Sequence, residues 1–423
     1  MTAQLDEFRG LEWVEIRGFG MEPQWTVEPD LDAIKRTIEE IKPSQEIEVN
    51  FMVQGAFNKI YAVKAGDETF IMRVSLPIDP RYKTLSEIAT LNWISENTSL
   101  PVPQVIDYQP ERETSAVNFE WILMTRLPGK PLADMWKTMQ YTAKKQLVQQ
   151  IAMYSASVFR QHFHSIGNLF PDSGNQIGRI VSLSFFYGDH IRQDIYRGPF
   201  ETSRDWLAAR LSLHEHDCRS ILGILGRQEE LSSDEEAEKE DAERTLGIIE
   251  RLRTQLDRVF PSTTDSPEPT VLLHDDLSQN NILVDENGKL TGVVGWECVS
   301  ALPLWKACSY PAFLQGPTRN NPLDLRRYDI HDPDTLYWEH LEHYEKTMLR
   351  QYFLDEMRRL EPKWIEKFNA TQVKRDFDEA VLFCDDGFAA GDIKTWLDEL
   401  ATAEEPMNVR SIKEINESRW AVH

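Results

Sequence analysis

The chain has 423 residues, 41% of them hydrophobic and 27% charged, with a net charge of -24. That length allows two or three domain units around a sizeable core. The acidity excludes nucleic acid and anionic membrane surfaces as expected partners, because their phosphates need Lys and Arg. Solubility is the ordinary reason for such a charge, and a cationic small molecule would also suit it.

No apolar run is long enough to span a bilayer. The opening Met1–Phe8 carries Asp6 and Glu7 and no apolar segment, so neither a secretory leader nor a mitochondrial presequence is expected. Cys218, Cys298, Cys308 and Cys384 stand far apart without a C-x-x-C pair. A reduced, cytoplasmic setting follows as the expectation, with no zinc or redox motif.

In chain order, Leu31, Ile34, Ile38 and Ile41 share one face of a helix predicted over 29–42. The period then shifts to strand over Ile47–Val53, followed by Gln54-Gly55-Ala56-Phe57-Asn58-Lys59. A strand over Ile60–Lys64 turns at 65–68 into a third over Thr69–Ser75, which makes a β-meander with a glycine turn at its first bend. A helix is predicted from Thr84 to Glu96 and a strand over 117–125, before Leu127-Pro128-Gly129. Beyond that the pattern is mainly helical, including a long amphipathic stretch over 139–160. Residues 215–259 contain the acidic run Gln228–Asp241, read as a solvated helix or a mobile insert. A linker composition at 261–269 precedes strands at 270–273, 282–285 and 290–294. Residues 322–423 read as helical. The units expected are an extension (1–46), a sheet-bearing N-terminal lobe (47–126) and a larger helical lobe (127–423).

The chemistry is concentrated in His274-Asp275-Asp276-Leu277-Ser278-Gln279-Asn280-Asn281. An H-x-D-L-x-x-x-N spacing is that of a kinase catalytic loop, in which one Asp takes a proton from the attacking hydroxyl and an Asn supplies a neutral oxygen to a metal. Downstream comes Val293-Val294-Gly295-Trp296-Glu297, with glycine where a kinase needs a metal-binding Asp.

With Leu272-Leu273-His274, Asp276-Leu277, Asn281–Asp285, Trp296-Glu297 and Pro303-Leu304-Trp305 in this order, the chain resembles the aminoglycoside phosphotransferase family from about Val49 to Gln315. That family is a branch of the protein-kinase-like fold that includes choline kinases, and the resemblance is strongest to its fungal members. It implies an α+β, bilobal fold with an antiparallel sheet in the N-terminal lobe. It also implies ATP and magnesium as cofactors and a small-molecule hydroxyl as acceptor, in a pocket of the C-terminal helical region that holds Trp338, Tyr344, Asp385-Asp386-Gly387 and Trp396. Asp276 is the expected base, Asn281 the metal ligand and His274 a buried scaffold of the catalytic loop. Gly55 and Asn58 belong to the expected phosphate-covering loop. Arg73 stands at the phosphate-pairing position and Glu87 is placed to hold it. Ala62-Val63-Lys64 imitates the V-A-I-K motif but falls one strand too early. The backbone of 122–126, around Met124, is expected to meet the adenine edge. Asp275 replaces the Arg that meets an activation-loop phosphate in protein kinases, which favours a small-molecule kinase. In the family, the place of Gly295 holds an Asp. Losing a charged ligand should cost at least the roughly 2.7–4 kcal/mol of one oxyanion donor, on the order of a thousandfold in rate. Three readings stay open: a pseudokinase that acts as a ligand-binding or scaffold protein, an impaired phosphotransferase that uses Asn281 and a substitute acid, or an otherwise ordinary enzyme altered at residue 295.

Overall fold

The computed structural model describes residues 7–16, 20–171, 173–174, 176–261, 267–328 and 334–420. A hairpin of β1 (Leu11–Ile16) and β2 (Gly20–Trp25) comes first, then α1 (Leu31–Ile41), capped by the Asp30 side chain. Next are β3 (Ile47–Gln54), β4 (Asn58–Ala65), β5 (Glu68–Ser75), α2 (Tyr82–Asn97), β6 (Val105–Gln109) and β7 (Glu120–Thr125). The five strands form one antiparallel sheet in the order β3-β4-β5-β7-β6.

Strand alternation decides the two faces of this sheet. Tyr61, Val63, Phe70, Met72, Trp121 and Leu123 pack under Ile34 and Ile38 of α1. Ile71, Ile122 and Met124 point the other way, toward Ile88 of α2. Arg73 lies on this second face by the same alternation, so the pleat aims its guanidinium at α2. Leu31, expected on the packed face of α1, is exposed, because it sits in the first turn beyond the sheet.

The C-terminal lobe is mainly helical. A short strand β8 (Lys130–Pro131) leads to α3 (Tyr141–Phe159), α4 (Ser203–Leu225) and α5 (Ser233–Val259). The acidic run is thus the loop and first turns of α5, opened by a capping box in which Ser232 and Glu235 bond reciprocally. Of the expected linker, residues 262–266 lie outside the described residues. Strands β9 (Thr270–Leu273), β10 (Ile282–Val284), β11 (Leu290–Val293) and β12 (Ser300–Pro303) follow. The chain continues with α6 (Thr335–Leu360), α7 (Pro362–Ala370), α8 (Gln372–Leu382), α9 (Ala390–Thr402) and α10 (Ile412–Trp420). One core joins α3 and α6 to the β10–β11 hairpin; a second joins α4, α5, α8 and α9. Among the described residues no helix is long and apolar enough to cross a membrane.

Asn168, fully buried, joins the parts. Its amide nitrogen donates to Ser86 Oγ (2.8 Å) on α2 and to the Val299 carbonyl (2.9 Å). Its oxygen accepts from the Val181 amide (2.8 Å) and from Ser300 Oγ (2.9 Å) on β12. Every valence of this side chain is used, so truncating it orphans several buried groups at once. Asn168→Ala is expected to lower the unfolding free energy by about 2–4 kcal/mol in urea titrations. A loss under about 0.5 kcal/mol would show that the node does not hold the lobes together.

Candidate active site

The pairing of β9 with β12 and of β10 with β11 decides where the chemistry-bearing residues meet. Both loops that leave these strands, 274–281 and 294–299, emerge on the same side, and the Val294 amide donates to the Asn281 carbonyl at 2.9 Å. His274 is buried, donates from Nε2 to the Val294 carbonyl (3.0 Å) and lies edge-on to Trp296 with ring centroids 4.7 Å apart. Burial pushes its pKa down, which keeps it neutral. It braces the loop. Asp276 is exposed at the loop's tip, and Asn281 Nδ2 donates to its backbone oxygen (2.8 Å) and to its Oδ2 (2.7 Å).

On the sheet side, Arg73 and Glu87 form a buried bidentate pair. Next to it stands a network whose central member the sequence reading missed. Lys83, 1% exposed, donates to Asn58 Oδ1 (3.0 Å) and contacts Glu297 Oε2 (2.6 Å). Asn58 also accepts from Ser75 Oγ (2.8 Å) and donates to both oxygens of Glu297 (2.9 and 2.8 Å). The signal for Lys83 was present: it lies four residues before Glu87 on the same helix face. Gly295 and Cys298, with φ of +75° and +62°, are both left-handed and turn Glu297 away from strand direction into this network. Burial alone would raise the Glu297 pKa. The charges of Lys83 and Arg73 and the Asn58 hydrogen bond reverse that and hold it at about 2.

Gly55 is exposed, and a Cβ there would meet nothing closer than the Asn58 carbonyl at 3.9 Å. Glycine is therefore not demanded by packing; it leaves the surface above the loop open. Phe57 of the same loop packs edge-on against Phe186 (5.6 Å) and Trp13 (6.4 Å), which ties the loop to the helical lobe and to the β1–β2 hairpin. Met124 is buried, in register with Ile71, at the end of β7 before the chain crosses to the other lobe. On the helical side, Asp275 lines a cavity of about 860 Å³ with Lys306, His214, Trp206, Asp385 and Asp386. Of the aromatics expected around an acceptor, Trp396 is fully buried in the core, while Trp338 and Tyr344 lie half-buried on α6 and line no part of this cavity.

The donor set does not fit magnesium. That ion takes oxygen ligands, carboxylates foremost. Residue 295 offers none, and the Asn281 amide occupies its place: a Cβ on Gly295 would lie 2.7 Å from Asn281 Cγ, Nδ2 and Oδ1. Asn281 is bonded to Asp276, and Glu297 to Asn58 and Lys83.

Residues 49–305, more than half of the chain, match the profile described as the phosphotransferase enzyme family, APH. A subtelomeric hrmA-associated cluster protein of Aspergillus fumigatus is 26% identical over 306 residues, 62% of this chain and 59% of that protein. Clavilactone A biosynthesis cluster protein Y of Ampulloclitocybe clavipes is 28% identical over 247 residues, 56% of this chain and 54% of that protein. The matches thus span little more than half the length of these curated relatives. Among solved structures, aminoglycoside phosphotransferase APH(4)-Ia in complex with AMP-PNP and hygromycin B aligns over 88% of this chain and 100% of its own, at 17% identity and a TM-score of 0.46. Macrolide 2'-phosphotransferase type I aligns over 88% of this chain and 99% of its own, at 11% identity and a TM-score of 0.37.

Two outcomes test this geometry. Gly295→Ala puts a side chain at a positive φ and against Asn281, and should lower stability by about 1–3 kcal/mol in thermal or urea unfolding. The Glu297 contribution should be complete above its ordinary pKa of 4.5 and fall away as the pH drops toward the folded value of about 2. Between about pH 5 and pH 3 the unmodified chain should therefore lose stability more steeply than Glu297→Gln, and equal slopes would remove Glu297 from the pH response. By the span of its match and the order of its motifs, the chain belongs to the phosphotransferase enzyme family, APH.

Proposed function

We propose that this chain is an ATP-dependent phosphotransferase acting on a hydroxyl of a small molecule, with turnover attenuated at residue 295. One observation carries the reading: an exposed Asp276 held by Asn281, next in the chain to Asp275, which lines the cavity. Asp276 would take the proton of the acceptor hydroxyl as it attacks the terminal phosphorus. Asn281 would fix that carboxylate's direction through its 2.7 Å bond. Arg73, held by Glu87, would stand on the phosphate side with its charge largely offset by that partner. The acceptor would occupy the cavity, where Asp275, Asp385 and Asp386 favour a cationic or amine-bearing molecule.

Gly295 favours a second reading, a pseudokinase that binds ligand without transferring phosphate. The two separate in a single assay. ATP consumption by the full chain, with magnesium supplied, is expected to be slow and to fall by about 100-fold or more in Asp276→Ala. Because Asp276 is exposed, the variant should fold normally. Measurable consumption that is equal in both proteins would overturn Asp276 as base. No consumption in either would favour the pseudokinase.

A further inference from the structure

We infer that magnesium adds nothing to the affinity of this cleft for an adenine nucleotide, and that the phosphates add little. The inference rests on the nucleotide-binding part of the reading above and deepens it.

The metal side comes first. The position that would carry a free carboxylate is Gly295, and the space beside it is filled by the Asn281 amide. Asn281 Nδ2 donates to Asp276, and its Oδ1 offers one neutral oxygen in place of a carboxylate. Glu297, the next carboxylate along the chain, accepts from Asn58 and Lys83. A magnesium ion arriving with a triphosphate would keep its water and phosphate ligands and gain no carboxylate from residue 295 or from Glu297.

The charge count points the same way. Arg73 is matched by Glu87 and Lys83 by Glu297. Two cations and two anions leave no surplus positive charge to receive phosphates. The Glu297 carboxylate, bonded to Asn58 and Lys83, offsets the positive charge that would otherwise face phosphates. Lys83 is 1% exposed and cannot turn outward without breaking its network.

Calorimetry on the full chain with adenosine, ADP and ATP, each in magnesium and in EDTA, tests this. The three ligands should bind within about threefold of one another, and magnesium should leave the ATP affinity unchanged or weaker. Gly295→Asp should bind magnesium-ATP about tenfold or more tighter than adenosine. Glu297→Gln leaves Lys83 in surplus, and ATP in EDTA should gain about tenfold over adenosine. If magnesium tightens ATP binding to the unmodified chain about tenfold or more, the inference is overturned while nucleotide binding stands. If Glu297→Gln keeps the native ATP-to-adenosine ratio, the charge argument is overturned. If none of the three ligands binds, both the inference and the nucleotide reading fail.

Discussion

The Glu297 carboxylate is the interaction on which the arrangement of this cleft depends. It reaches from the helical lobe to Asn58 at the start of β4 and to Lys83 at the start of α2. Both partners belong to the sheet lobe, and both are buried. A buried lysine or carboxylate left alone would be costly, so each requires the other, and the lobes are registered against each other by that requirement. Asn168 adds a neutral clamp on the same helix, through Ser86. With α2 held from two sides, Glu87 is presented to Arg73 without either side chain having to search.

The same loop carries glycine at residue 295, which has no side chain to offer. The backbone at Gly295 is left-handed, a conformation that glycine adopts without cost and aspartate with little. An Asp could follow that backbone path only with a shift of Asn281, which lies beside Gly295 and bonds to Asp276. In this arrangement Asn281 restrains the direction of the Asp276 carboxylate.

Much of this was legible in the sequence because the signals are local. The helix of 29–42, the three-strand meander and the catalytic-loop strands appear within a residue or two of their expected bounds, since period and turn residues act over a few positions. The β1–β2 hairpin, β6 and β12 went unread. β6 is a short strand at the sheet edge, and β12 gains its strand character from pairing with β9. Leu31 was misplaced because a helix's first turn can overhang the layer it covers. Trp338, Tyr344 and Trp396 could not be sorted into core and cavity, because aromatic residues serve both and only packing separates them.

The sequence by itself determined the α+β bilobal class, the H-x-D-L-x-x-x-N loop, the Arg73 and Glu87 positions and the absence of an acid at 295. Each of these is a matter of residue identity and spacing along the chain. Tertiary structure alone decided that Asn281 turns onto Asp276, that Lys83 is buried between Asn58 and Glu297, and that the cleft is charge-balanced. These contacts join residues up to 239 positions apart. Their energies depend on burial and distance, which spacing along the chain does not encode.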